Sequence, residues 1–103
     1  SRFSKMLDER RQALPPAIAY GMQNLMDSHD TDRLASMVVN GQNHGNPDHI
    51  DFNNLNSARS SQTYQIRKPD ARERAIQRMI ALFQMTYVGG PMIYYGTEAG
   101  MWG

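Results

Sequence analysis

The stretch DARERAIQRMIALFQMTYVGGPMIYYG, residues 70–96, decides how this chain folds. Asp70 is a helix-capping residue type. Glu73, third in the helix that follows, reaches back to the capping amide, and Pro69 sits just outside. Ile76, Met79, Ile80, Phe83 and Tyr87 recur every three or four residues, while Arg72, Glu73, Arg74 and Arg78 fall mostly elsewhere. This spacing predicts an amphipathic helix of about five turns, at 3.6 residues each. Gly89-Gly90 ends it. Pro91 to Tyr95 is then a continuous apolar, β-prone run closed by Gly96, the pattern of a strand covered on both faces inside a parallel sheet.

Upstream lies a polar stretch, residues 40–67, where Asn, Gly, Ser and Asp dominate and Asn-Gly, Gly-Asn-Pro and Asn-Asn are turn formers. It reads as a long loop, either a binding loop or a flexible insert. Before it, Leu34, Met37 and Val38 have the spacing of a buried helical stripe, with Asp30 or Thr31 as the expected cap. Asn24-Leu25-Met26 is too short for periodicity to identify and is read as a strand. A helix is expected over residues 4–14, stopped by Pro15-Pro16, and another from Pro16 to about Gln23 with Ile18 and Met22 on one face. Strand, helix, loop, helix, strand is the order of an α/β protein, with too few strands to close a sheet.

The bulk properties set limits. At 103 residues and 11.7 kDa the chain makes one small domain at most. A net charge of +1 creates no long-range field to gather nucleic acid or an anionic membrane. The mean hydropathy of -0.65 leaves no apolar run long enough to span a bilayer. Without cysteine there is neither a disulfide framework nor a thiolate site, and the compartment stays open among cytoplasm, periplasm and exterior. Ser1-Arg2-Phe3 lacks an initiator Met and a targeting pattern, so the chain reads as a piece of a longer protein.

Two segments are more than generic. NLMDSHDTDR, residues 24–33, resembles the seventh-strand motif of the α-amylase family of glycoside hydrolases, and GGPMIYYGTE, residues 89–98, resembles its eighth-strand motif. The Ser28-His29-Asp30 form and the ending Gly100-Met101-Trp102-Gly103 are most similar to the neopullulanase, cyclomaltodextrinase and maltogenic amylase branch. The resemblance implies an α/β fold that is a fragment of a TIM (β/α)8 barrel, about strands 7 and 8 with their helices. Residues 1–103 would then be a partial catalytic domain, incomplete at both ends and bacterial in origin. The family pattern commonly has Asn where Ser28 stands and an acidic residue where Thr97 stands, so neither position inherits a role.

Retaining glycosidases use two carboxyl groups about 5 to 5.5 Å apart, a nucleophile and a general acid. The family carries these on its fourth and fifth strands, and nothing here resembles those motifs. The resemblance makes Asp30 the third carboxylate, gripping sugar hydroxyls and favouring the distorted, oxocarbenium-like ring. It makes His29 a hydrogen-bonding partner of the same sugar and Arg33 a lining residue. Glu98, after Gly96, is a candidate brace at the same barrel face, and Trp102 is a candidate for stacking on a sugar, with packing as the alternative. From residue types alone, a His-Asp pair such as His29-Asp30 is more often a solvated cap than a catalytic pair, and Asp32-Arg33 reads as a surface ion pair. Tyr94 and Tyr95 alternate across a strand and read as core. His44, Asp48, His49 and Asp51 have metal-ligand chemistry, but their spacing fits neither a zinc helix nor a calcium loop, so no metal and no cofactor are expected. The expected partners are an α-glucan and the rest of a barrel, or a second copy through exposed strand edges. The reading from a different class is a non-catalytic carbohydrate-binding or interaction fragment that uses the 40–67 loop.

Overall fold

The computed structural model describes residues 1–41 and 62–102. In chain order the elements are α1 (Arg2–Gln12), α2 (Pro16–Gly21), β1 (Gln23–Leu25), α3 (Leu34–Val39), α4 (Ala71–Thr86) and β2 (Gly90–Met92). The strands pair in parallel, Gln23 with Gly90, Asn24 with Pro91 and Leu25 with Met92. Parallel pairing of consecutive strands requires a long crossover, and α3 and α4 lie on it. The α/β expectation holds at this level.

α4 is capped as its sequence dictates. The Asp70 carboxyl accepts from the Glu73 amide at 2.8 Å and the Glu73 carboxyl accepts from the Asp70 amide at 2.7 Å. Its packed face is rotated from the expected one. Met79 is 70% exposed, whereas the buried residue of this helix is Gln84. The Gln84 amide donates to the Asn24 carbonyl at 2.8 Å and the Met92 carbonyl at 2.7 Å, one on each strand. That contact draws α4 onto the strand pair by way of a polar side chain. On another side, Phe83 meets Phe3 of α1 with ring centroids 5.8 Å apart, and the Tyr87 hydroxyl donates to the Leu7 carbonyl.

The helix starts differ in two places. α1 begins at Arg2, ahead of the expected Ser4, because the Ser1 hydroxyl accepts from the Ser4 amide. α3 begins at Leu34, beyond the capping reach of either Asp30 or Thr31. The Leu34 amide donates instead to Asp27, at 2.9 Å. Thr31 is occupied with the preceding turn, its hydroxyl accepting from the Ser28 amide at 2.9 Å.

β2 is shorter than the Pro91–Tyr95 run, and its three residues are exposed. β1 is its only neighbour among the described residues and pairs over three positions, so Ile93 to Tyr95 leave the ladder. The cover on both faces that the sequence calls for is therefore not supplied by these residues. The turn into β2 depends on Gly89, at φ +116°, where a Cβ would stand 2.6 Å from the Met22 carbonyl oxygen. Only glycine fits there. The Asn24 side chain donates to the Tyr87 and Val88 carbonyls, satisfying the end of α4 from within β1.

The buried apolar residues are Ala19, Leu34, Ala35 and Val39, while Tyr20, Met79, Leu82 and Tyr95 remain more than 60% exposed. At the edges of the polar stretch, Asn40 and Gln65 exchange a reciprocal pair of hydrogen bonds, 2.8 Å and 3.2 Å. Beside them the Tyr64 hydroxyl donates to Asp32 at 2.6 Å. Burial first, then the Asp32 carboxylate, pushes the Tyr64 phenol up to about 12. No described helix is long and apolar enough to cross a membrane.

Candidate active site

Parallel strands deliver their C-terminal ends to one side of the sheet, and here both ends run straight into polar turns. After β1 the chain forms a compact turn. The Ser28 hydroxyl accepts from the Asp30 amide at 3.2 Å, and the Thr31 amide returns to the Ser28 carbonyl. On its crest stand His29 and Asp30, with side chains 78% and 80% exposed and Nε2 3.2 Å from Oδ2. Imidazole and carboxyl are thus presented together to solvent, a pair able to engage neighbouring hydroxyls of one polyol.

After β2 the chain coils through Gly96 and Gly100, both at positive φ. The Met101 amide closes this turn onto the Gly96 carbonyl at 2.9 Å, and Glu98 and Trp102 lie exposed on it. The two turns are joined through Asp27, which is 2% exposed. One of its oxygens, Oδ2, accepts from both the Leu34 amide and the Thr97 hydroxyl, the latter at 2.6 Å. Asp27 was not singled out by sequence reasoning. The only signal was an acidic residue directly behind an apolar step, which reads like any solvated loop residue.

Arg33 forms the second link. Its guanidinium donates to the Tyr95 carbonyl at 2.7 Å and lies 5.0 Å and 4.8 Å from the Tyr94 and Tyr95 ring centroids. Asp32 takes Tyr64 instead, so the expected Asp32-Arg33 pair is replaced by two separate partnerships, each reaching across the sequence. The tyrosines meet edge to face at 4.6 Å. The hydrogen bond to Tyr95, then burial, holds the Tyr94 phenol above its ordinary range, against the opposing pull of the Arg33 cation. Tyr94 and Tyr95 therefore act as a plate for a cation, where the sequence suggested core.

Asp30, His29 and Arg33 lie on the segment after β1, Glu98 and Trp102 on the turn after β2, and the Asp27 and Arg33 contacts couple the two. His44, Asp48, His49 and Asp51 fall outside the described residues, as does most of the 40–67 loop. Among the described residues, cavities also lie elsewhere. One of about 340 Å³ sits between α1 and β1, lined by Leu7, Leu14, Met22 and Phe83; another, about 780 Å³, sits between α3 and α4.

No protein-family model and no solved structure matches the chain. Three characterised proteins do. Neopullulanase 2 of Thermoactinomyces vulgaris is 34% identical over 102 residues, covering 99% of this chain. Amylopullulanase of Thermoanaerobacter thermohydrosulfuricus is 34% identical over 101 residues, covering 94%. Cyclomaltodextrinase of a Bacillus species is 30% identical over 100 residues, covering 97%. The chain spans only 12%, 6% and 12% of these proteins' respective lengths. Similarity to all three covers at least 94% of this chain and only a small part of each relative, and on this ground the chain is consistent with a fragment of an α-amylase family protein.

Proposed function

We propose that this chain forms part of a retaining α-glucan hydrolase, contributing about strands 7 and 8 of a (β/α)8 barrel and the carboxylate that stabilises the transition state. The observation that carries the reading is the joint presentation of His29 and Asp30 at the C-terminal end of a parallel strand, coupled to the turn that ends the next one. Barrel enzymes assemble catalytic groups at that end, from several strands. The names of the three relatives support an α-glucan substrate of starch, pullulan or cyclodextrin type.

In this reading Asp30 grips hydroxyls of the sugar at the bond to be broken. A ring flattening towards an oxocarbenium ion moves those hydroxyls, and a fixed carboxylate that fits them best in the flattened form lowers the barrier without transferring a proton. His29 donates to the same sugar, Arg33 borders the site, Glu98 braces it, and Trp102 offers a flat face. Nucleophile and general acid come from elsewhere in a barrel of about 250 residues, so the 103-residue chain alone is inactive.

The test is Asp30→Asn in the full-length gene product, assayed on pullulan and cyclodextrin. Removing one preorganised electrostatic contact costs about 10² to 10³ in kcat, so a loss of that size is expected. Unchanged turnover in the variant, or hydrolysis by the isolated chain, would overturn the assignment.

A further inference from the structure

Asp27 is the buried carboxyl of the described residues, and the proposed chemistry makes no use of it. Burying a carboxyl is unfavourable unless hydrogen bonds replace water, and an apolar side chain of similar size fills such a position more readily. What an apolar side chain does not supply is two directional acceptor contacts from one point. The Leu34 amide is seven residues downstream, so its bond to Asp27 closes the chain from 27 to 34 into a loop, and His29 and Asp30 ride on that loop. The Thr97 hydroxyl is seventy residues away, so its bond to the same oxygen fastens that loop to the turn bearing Glu98.

We infer that Asp27 and Thr97 are positioning residues: together they set where the Asp30 carboxyl stands relative to the turn after β2. The inference rests on the proposed role of Asp30. Thr97 stands where relatives of the wider family often carry an acid, and its hydroxyl gives that position a task here as a donor. Ser28 and Thr31 stiffen the loop from inside, but both lie within it, so neither fixes its place against β2. A displacement of about 1 Å far from the reacting bond can lower turnover about 10²-fold, which sets the scale of effect to expect.

The experiment uses the full-length protein with Thr97→Val, Thr97→Ser, Asp27→Asn and Asp27→Ala, assayed on pullulan and cyclodextrin, with hydrogen exchange of the 27–34 segment measured on the same samples. Thr97→Val keeps the shape and removes the donor; kcat is expected to fall about 10- to 100-fold with KM within about twofold, and exchange across 27–34 to quicken. Thr97→Ser restores the donor and returns both readouts close to wild type. Asp27→Asn keeps an acceptor oxygen and loses less than Asp27→Ala, and should Asp27→Ala fail to fold, the Thr97 pair still decides. Equal kcat in Thr97→Val and Thr97→Ser, with exchange unchanged, overturns the inference even if the melting temperature falls. A wild type that leaves both glucans uncut overturns the role of Asp30 instead; the exchange readout then still decides whether Asp27 and Thr97 fix the loop.

Discussion

Gln84 shows how much of this fold rests on a residue that periodicity discards. Its amide bonds carbonyls on both strands, and replacing it with Leu leaves both without that donor in a buried place. The loss is expected to be about 2 kcal/mol, read as a shift in urea midpoint. Gln84→Glu is expected to do worse, since a carboxylate only accepts and would face two carbonyl oxygens. The same blindness hid Asp27, whose partners are seven and seventy residues away. His29 and Asp30 were legible because a short local motif holds them. Asp27 and Gln84 were not, because a polar side chain announces its partners only once the chain has folded. Asp32 and Arg33 were misread for a related reason: adjacency suggested a pair, and each found a better-oriented partner far along the chain.

At the scale of the element, α4 was the most readable segment, since its capping box is written in four consecutive residues and its length in the apolar spacing. The side it would bury was less readable, because Met79 and Leu82 fit a stripe as well as Ile80 and Phe83 do. The cap also gives the helix a pH dependence. Hydrogen bonds from Arg67, then from the Asp70 amide, hold the Glu73 carboxyl down at about 2, against an ordinary value of 4.5. A carboxyl lowered in the folded state stabilises fully above its ordinary value, and that stability drains away as the pH falls from about 4.5 towards about 2. Thermal unfolding of wild type and Glu73→Gln is therefore expected to differ at pH 7 and to converge as the pH approaches 2. β1 and β2 were located within one residue at their starts, but the length of β2 was overestimated, because a strand extends only as far as its partner.

For the molecule as a whole, the small set of buried apolar residues sits beside a long exposed series, including Phe3, Tyr20, Met79, Leu82 and Tyr95. Both strands also leave backbone groups without a ladder partner on their outer edges among the described residues. The proposed barrel covers these surfaces with its remaining strands and helices. Produced alone at high concentration, the 103-residue chain is expected to elute from size exclusion as dimers or larger species, and Leu82→Lys with Met79→Lys to shift it towards monomer. A well-behaved wild-type monomer would argue that the apolar series needs no cover. The reciprocal bonds between Asn40 and Gln65 bear on how such a protein diversifies. They hold the two flanks of the polar stretch to each other through two side-chain-to-backbone bonds between residues 25 apart in sequence. For the scaffold this is a clasp between the end of α3 and the approach to α4: substitutions that keep Asn40 keep that join, while the strand ends that carry Asp30 and Glu98 stand on separate bonds.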